Sequence, residues 1–176
     1  MLEPDAVAQM SACSSPPARA SLLSAAVATL TARGAWVYLD AGNSNWVAPE
    51  VMAGRLATAG VAGARGIATN VSSFHTTVAE RAYAGKVLYY RSRLGVTGKH
   101  YVVDTSRNGA GASTQWCNPP GRGLGSTPRF VQDGSQLDGL LWVKRPGQSD
   151  GTCNGGPVAG AFSEPIALDL VEHASL

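Results

Sequence analysis

Short apolar runs that end in a polar residue alternate with helical patterns along this chain, and this alternation limits the fold more than any other feature. The runs are WVYLD (36–40), GIATN (66–70), YVVD (101–104) and LLWVK (140–144). Helices are predicted at about 16–34, 49–59, 76–94 and 165–174. This order is typical of parallel strands covered by helices, so the sequence predicts an α/β fold of the barrel or doubly wound type.

The first predicted helix carries its apolar residues on one face, and two of the predicted strands carry a tryptophan. In the first helix, introduced by Ser15-Pro16-Pro17 and stopped at Gly34, one face carries Leu22, Leu23, Ala26, Val27 and Leu30. Trp36 and Trp142 lie inside predicted strands. We therefore expect both tryptophans in the core.

Polar residues stand where the predicted strands end. They are Asp5, Asp40, Asn70, Asp104 and Lys144. Because the carboxyl ends of parallel strands meet at one edge of a sheet, where chemistry is usually placed, the pattern predicts a carboxylate-lined site. An acid after a strand can equally cap the next helix, and for any single one of them both readings stay open.

Composition and charge exclude several classes of function. The chain has 176 residues, enough for one domain, of which 15% are charged, with a net charge of +2. The few Lys and Arg are scattered, so no nucleic-acid partner is expected. No apolar run approaches the length of a membrane span, and the N-terminus has no signal-peptide pattern. The three cysteines are far apart and lack CxxC spacing, so no metal site is expected. The Gly-rich segment 121–125 does not follow a predicted strand, so no nucleotide cofactor is expected.

Two long segments, 105–138 and 147–160, are rich in Gly, Pro, Asn, Ser and Thr. Strand or helix patterns resume after each, so both are predicted to be loops rather than linkers. Long loops at the edge of a site are often functional.

Six segments, taken in order, resemble glycoside hydrolase family 6, the cellulases that include endoglucanases and cellobiohydrolases. They are LEPDAVA, VYLDAGNSNW, GIATNVSSF, VVDTSRNGAG, WCNPPGRGLG and LLWVKRPGQSDGTC, and they extend from residue 2 almost to the last predicted helix. The resemblance implies a distorted, incomplete (β/α) barrel. It also implies hydrolysis of β-1,4-glucosidic bonds in cellulose or related glucans, with inversion at the anomeric carbon and without a cofactor.

Members of this family carry further sequence before the segment that matches LEPD. The resemblance therefore implies that residues 1–176 form a single partial catalytic domain whose N-terminal strands are missing, since a complete barrel usually needs about 250 residues. A barrel without its first strands exposes a sheet edge. We expect a tendency to self-associate through that edge.

The resemblance also implies a use for the cysteines. It pairs Cys117 with Cys153 in a disulfide beside the site, while Cys13 would pair with a cysteine of the upstream segment. The alternative for Cys13 is an ordinary buried thiol. Disulfides are typical of exported proteins, so a secreted parent protein is expected.

Three aspartates receive catalytic roles from the resemblance. Inverting hydrolysis needs a carboxylic acid that protonates the departing oxygen and a base that activates water on the opposite ring face. By resemblance Asp5 is the acid, Asp150 the candidate base and Asp40 an electrostatic support. The alternative for Asp150 is a simple Asp-Gly turn.

Sugar binding requires aromatic surfaces and hydrogen-bonding groups. Trp46 and Trp116 match the platform tryptophans of the family, and Asn70 and Lys144 match residues that hydrogen-bond glucose units. Arg107 is expected to organise the edge of the site through charge-assisted hydrogen bonds.

Two substrate-binding positions depart from the family pattern. Asn43 replaces a usual His and Gln148 a usual Glu, which keeps hydrogen bonding but removes a titratable group. These changes and the expected missing strands leave open a catalytically impaired glucan-binding remnant as the alternative function. The segment NGGPVAGAFSEP (154–165) is short. This shortness favours an open cleft and cleavage of internal bonds.

Overall fold

A computed structural model of the chain describes residues 1–2 and 5–175. It contains one five-stranded sheet with the strand order β1-β2-β3-β5-β4. The strands are β1 (Tyr38–Asp40), β2 (Gly66–Thr69), β3 (His100–Asp104), β4 (Arg129–Phe130) and β5 (Leu137–Leu141). β1, β2, β3 and β5 pair in parallel, and only β4 runs antiparallel, against β5. Since β1 and β4 do not pair, the sheet is not closed, and the predicted parallel, incomplete α/β architecture is confirmed.

The four predicted helices are present with nearly the expected bounds. They are α1 (Pro16–Thr31), α2 (Pro49–Thr58), α3 (Thr77–Arg93) and α4 (Glu164–Glu172). Three of them carry Pro in the first turn, where its missing N–H is not needed. The fourth, α3, is capped by the Thr76 hydroxyl, which accepts from Ala79 N at 3.2 Å. None of the helices formed by the described residues is long and apolar enough to span a membrane.

The core lies between the sheet and the helices. Leu39, Ile67 and Val103 are fully buried at the centres of three neighbouring strands. Met52 and Leu56 of α2 are also fully buried and belong to the same apolar cluster. This packing fixes the strand ends that carry the site.

Only part of the apolar face predicted for α1 is buried. Leu23 and Val27 are 3% and 2% exposed, but Leu22 and Leu30 are 72% and 38% exposed. The contact of α1 with the core is therefore narrower than its apolar face. Leu22 instead lines a groove with Cys13, which is an unpaired, half-buried thiol among the described residues.

Trp36 is not a core residue, contrary to its predicted place within a strand. β1 begins two residues later, and Trp36 is 64% exposed with the Arg65 guanidinium 4.6 Å from its ring centroid. Trp142 lies just after β5, is half-buried and donates its indole N–H to Ser126 O at 3.1 Å.

The strand predicted at 140–144 lies three residues earlier, at Leu137–Leu141. The backbone N–H groups of Val143 and Lys144 donate to the Asp104 carboxylate, at 3.3 and 3.0 Å, instead of continuing the ladder. A side chain thus ends the strand before the apolar run ends.

A polar cluster joins the amino ends of the parallel strands. Asp138 in β5 accepts two hydrogen bonds from Arg65, both at 2.8 Å, and one from the Tyr38 hydroxyl at 2.6 Å. His100 Nδ1 lies 3.0 Å from the same carboxylate. This cluster ties together the edge of the sheet that lies opposite the predicted site.

Candidate active site

The carboxyl ends of the parallel strands open onto a cleft of about 700 Å³. Most of the predicted site residues lie along this cleft. They are Asp5, Asn43, Trp46, Trp116, Lys144, Gln148 and Asp150. Asp40, Asn70 and Arg107 are not among the lining residues and are buried behind it.

Asp5 reaches the cleft from a short segment beside β1. Leu2 bridges in parallel to Leu39, and its N–H donates to Tyr38 O at 2.9 Å. The intervening residues, Glu3 and Pro4, lie outside the described part of the chain. Asp5 itself has a φ of 65°, and its N–H donates to Asp40 Oδ2 at 2.6 Å. Burial raises the pKa of the Asp5 carboxyl, which favours its protonated form.

Asp40 lies directly beneath Asp5 and is fully buried. Its Oδ2 accepts from Asp5 N, and its Oδ1 accepts from Gly42 N at 3.3 Å. Burial raises the pKa of Asp40 to about 8, and the charge of Asp5 adds to this effect, whereas the two N–H donors oppose it. At neutral pH Asp40 is therefore mostly uncharged and orients the backbone at Asp5.

Asp150 has the opposite electrostatic environment. Its carboxylate is 6% exposed and accepts from Arg107 Nη1 at 2.7 Å, with Lys144 Nζ at 3.0 Å from the other oxygen. Burial alone raises the pKa of Asp150, but the hydrogen bond and charge of Arg107, with smaller contributions from Asn118 and Lys144, lower it below its ordinary value. Asp150 is thus ionised in the same cleft in which Asp5 is biased toward protonation.

Arg107 connects the loops around Asp150 rather than facing the cleft. Its side chain is 3% exposed, and Nη2 donates to Ser72 O. The guanidinium also stacks on Phe74, 4.3 Å from the ring centroid. This geometry agrees with the organising role expected for Arg107, but it orients a carboxylate and does not contact the cleft space directly.

Asn118 is a supporting residue that the sequence did not indicate. Its N–H donates to Asp150 Oδ2 at 3.1 Å, and its Oδ1 accepts from Asp150 N at 2.8 Å. The adjacent Cys117 forms the predicted disulfide with Cys153, with the Cα atoms 6.0 Å apart. Asp150 is therefore held by a buried network, which is more than the simple Asp-Gly turn requires.

Asn70 does not contact the cleft as expected. It is fully buried, and its Nδ2 donates to His75 O and to Asp104 O, at 3.0 and 2.9 Å. Its Oδ1 accepts from His75 N at 3.0 Å, and its φ of 64° lies in the left-handed region that Asn tolerates. The prediction that Asn70 hydrogen-bonds a sugar does not agree with this geometry. The nitrogen and the oxygen of its side-chain amide already hold the loop that follows β2.

Asp104 also serves the loops. Its carboxylate accepts from Ser72, Ser106, Val143 and Lys144 N–H groups, at 2.9 to 3.3 Å. Burial raises its pKa, although these donors oppose the shift. The predicted strand-end acid is thus the anchor that places Lys144 beside Asp150.

Aromatic rings are accessible within the cleft. Trp46 is 45% and Trp116 is 73% exposed. The Trp46 ring lies on the backbone of Gly42, where an added Cβ would come within 3.3 Å of it and where φ is +68°. Glycine at 42 therefore allows both the turn and the position of the ring.

The two positions that depart from the family pattern lie at the edge of the cleft. Asn43 Oδ1 accepts from Asn45 N at 3.1 Å, and Gln148 Nε2 donates to Gly160 O at 3.1 Å. Further lining residues carried no signal in the sequence because they follow no strand pattern. They are Gln9, Asn45, His75 and Gln115. Among the described side chains, no group of three or more His, Cys, Asp or Glu is placed to hold a metal ion.

Comparison with known proteins identifies the same family as the six segments. The family model for glycosyl hydrolases family 6 matches residues 1–174. Endoglucanase A from Cellulomonas fimi is 48% identical over 99% of this chain and 38% of its own length. A 1,4-beta-D-glucan cellobiohydrolase C from Emericella nidulans is 32% identical over 72% of this chain and 34% of its own.

A solved structure shows the same fold. The endoglucanase Cel6 from Mycobacterium tuberculosis, in complex with methyl-cellobiosyl-4-deoxy-4-thio-beta-D-cellobioside, superposes with a TM-score of 0.89 and 45% identity. The match covers 97% of this chain and 59% of that one, so the chain spans only part of the length of its relatives. With its parallel sheet and its strand-end cleft, and with a family match along nearly its whole length, this chain belongs to family 6 of the glycosyl hydrolases.

Proposed function

We propose that the cleft hydrolyses internal β-1,4-glucosidic bonds of cellulose or a related β-glucan, with inversion. The observation that carries this proposal is that Asp5 and Asp150 lie in one cleft in opposite electrostatic environments. Burial raises the pKa of Asp5, and the neighbouring cations hold that of Asp150 down. Carboxyl groups whose pKa values are separated in this way suit the roles of acid and base.

In the proposed reaction, protonated Asp5 donates its proton to the glycosidic oxygen as the bond to the anomeric carbon breaks. Water attacks that carbon from the opposite face, and its proton passes to ionised Asp150, directly or through a second water. Asp40 is largely neutral at pH 7. It therefore holds Asp5 in place without adding a second charge that would repel the carboxylate left on Asp5.

Substrate binding is assigned to the exposed rings and the polar groups along the cleft. Trp46 and Trp116 offer faces for the apolar sides of pyranose rings, while Lys144, Asn43 and Gln148 offer hydrogen bonds to hydroxyl groups. Both rings remain accessible among the described residues, at 45% and 73% exposure, and an accessible cleft supports internal cleavage. The thio-oligosaccharide bound to the Mycobacterium tuberculosis enzyme supports a glucan as the ligand.

Turnover tests the role of Asp5. With carboxymethylcellulose or cellotetraose, Asp5→Asn should reduce the rate by about 100-fold or more, as expected when a general acid is lost. Equal background rates in the wild type and the variant would refute hydrolysis by this chain. A fall in viscosity that precedes the release of many reducing ends would identify internal cleavage, and proton NMR should show the α-anomer first; initial β-anomer would exclude inversion.

The role of Asp150 as base has a separate test. In Asp150→Ala, azide can attack the anomeric carbon without needing a base, so added azide should restore product formation as a glycosyl azide. If Asp150 only anchors Arg107 and Lys144, azide should have no effect, because the loss would come from displaced cations.

One observation favours the second candidate, a glucan-binding chain without turnover. The Asp150 carboxylate is already bound by Arg107, Lys144 and the N–H of Asn118, as it would be in a structural ion pair. Calorimetry that detects cellotetraose binding in the absence of turnover would support this reading. Trp116→Ala should abolish that binding. Trp36→Ala, which changes an exposed tryptophan outside the cleft, should not.

The disulfide supports export of the parent protein. Cys117–Cys153 closes a span of 36 residues beside the site, and such bonds persist in oxidising compartments. Its formation can be measured by titrating free thiols in protein recovered from the culture medium and from the cytoplasm. Cys117 and Cys153 should be oxidised in the exported protein and reduced in protein from the cytoplasm.

A further inference from the structure

A buried acid that no catalytic role uses lies beneath one side of the cleft. Glu80 sits in the first turn of α3 and is fully buried. Its Oε1 accepts a hydrogen bond from the backbone N–H of Ser44, at 2.9 Å and 36 residues away along the chain. Glu80 therefore connects α3 with the loop that leaves β1.

The second oxygen of Glu80 is buried as well. Oε2 makes no hydrogen bond of ordinary length among the described residues, although the nearby Thr69 hydroxyl and the Ser44 side chain lower the pKa of the acid. Removing a carboxyl group from water with so few close partners costs free energy. Burial raises its pKa, while the Ser44 N–H and the charge of His75 act in the opposite direction.

The loop attached to Glu80 is residues 41–48, between β1 and α2, and it carries Asn43 and Trp46 of the cleft. Its first two residues are held by α3 and by the residue that follows β2: Ala41 O accepts from the Tyr83 hydroxyl of α3 at 3.1 Å, and Gly42 O accepts from Asn70 N at 2.8 Å. Beyond Gly42, the bond to Glu80 is the one hydrogen bond among the described residues that ties the backbone of this loop to α3.

We propose that Glu80 is a positioning residue for glucan binding: through Ser44 it fixes the loop 41–48 and thereby the Trp46 ring and the Asn43 amide. The substrate part of this proposal rests on the proposed function. Glu80 contacts no substrate itself, since it lies behind the cleft and is absent from its lining. Asn43 and Trp46 lie on either side of the anchored Ser44, so a loose Ser44 displaces both.

Hydrogen exchange tests the positioning without any glucan. In Glu80→Ala the amides of 43–46 should exchange faster, whereas Glu80→Gln, which keeps an acceptor for Ser44 N–H, should retain wild-type protection. Glu50→Ala is the matched control, because Glu50 is an exposed acid in the first turn of α2. If Glu80→Ala does not fold, Glu80→Met replaces it, since Met fills a similar volume without an acceptor. Unchanged exchange in 43–46 would overturn the proposal.

Calorimetry with cellotetraose then tests the consequence for binding. Loss of the hydrogen bond that holds Ser44 should weaken affinity by about tenfold in Glu80→Ala, and Glu80→Gln should restore most of it. In a background with both Asn43→Ala and Trp46→Ala the same substitution should have little further effect, because both groups that it positions are gone. Additive losses would show a general structural effect and contradict the proposal.

The proposed function and the positioning role of Glu80 can be refuted independently. If wild-type protein neither binds nor cleaves cellotetraose, the proposed function is wrong, and the exchange experiment still decides whether Glu80 holds the loop. If the wild type binds and the exchange of 43–46 does not depend on Glu80, the proposed function stands and the positioning role is wrong.

Discussion

Asp40→Asn tests the electrostatics beneath the candidate acid. Asp40 is fully buried, and its pKa is raised from 3.8 to about 8 by burial. A carboxyl with a raised folded pKa contributes its full stability below the unfolded value, and this stability is lost as the pH rises through the folded value. Between pH 5 and pH 8 the folded state must therefore either hold a proton that the unfolded state has released or bury a charge.

The magnitude follows from the width of that interval. Each pH unit between the unfolded and folded pKa values changes the free energy of unfolding by about 1.4 kcal/mol. From pH 5 to pH 8 the wild type should therefore lose up to about 4 kcal/mol through Asp40, a large part of the stability of a domain of this size. Asn at this position has no charge to bury. It keeps an acceptor for only one of the N–H groups of Asp5 and Gly42, which costs about 1 to 2 kcal/mol at every pH.

Urea unfolding at several pH values measures this prediction. At pH 5 the two proteins should be of similar stability, and the wild type should become steadily less stable relative to Asp40→Asn as the pH rises to 8. Other titrating groups are common to both proteins and cancel in the difference. Asp133→Asn is the control: Asp133 is exposed and its pKa is lowered by the Ser135 hydroxyl and N–H, so its difference from wild type should stay constant above pH 5. A wild-type minus Asp40→Asn difference that does not change with pH would refute the reasoning.

Three further predictions concern the supports of the cleft. Asn70→Ala should lower the free energy of unfolding by about 3 kcal/mol, measured in urea, because three buried hydrogen bonds are lost and Ala is strained at a φ of 64°; a loss below about 1 kcal/mol would contradict this. Replacing Cys117 and Cys153 together by Ser should lower the free energy of unfolding by about 4 kcal/mol, measured in urea, because the disulfide closes a loop of 36 residues. The exposed side chains of Leu22 and Phe130, on α1 and on the edge strand β4, should promote self-association; light scattering that finds only monomer at high concentration would contradict this.

The positions of the strand ends were predictable from the sequence. A run of apolar residues indicates a buried strand, and the polar residue after it indicates that the chain has reached the edge of the sheet. Asp40 ends β1 and Asp104 ends β3, as expected, and Asn70 follows β2. The end of β5 was misplaced because the run LLWVK continues past the true ladder. There the Asp104 carboxylate, 39 and 40 residues away in sequence, takes the N–H groups that a strand would use.

Roles within the site were less predictable than positions. Asn70 was expected to face the sugar, but whether an amide faces a cleft or a backbone depends on loops that fold back from elsewhere, here the segment at His75. Asn118 and Glu80 were missed for the same reason, since each acts on a residue more than 30 positions away. The exposure of Trp36 was not predicted, because one apolar residue before a strand belongs to no repeating pattern that would indicate which way its side chain points.

The acids around the cleft fall into two groups with opposite pH behaviour, and this division links the fold to the chemistry. Asp40, Asp104 and Glu80 are anchors whose carboxyl groups accept backbone N–H groups of the cleft loops, and burial raises the pKa of each. Their stabilising contribution is lost as the pH rises through these raised values. Asp150 and Asp138 have cationic partners and lowered pKa values, so their contribution is lost only as the pH falls through those values, below about 4. Loss of stability at high pH through the anchors, and at low pH through Asp150 and Asp138, therefore bounds the pH range in which the cleft is intact. Within that range the raised pKa of Asp5 and the lowered pKa of Asp150 favour a proton donor and a proton acceptor.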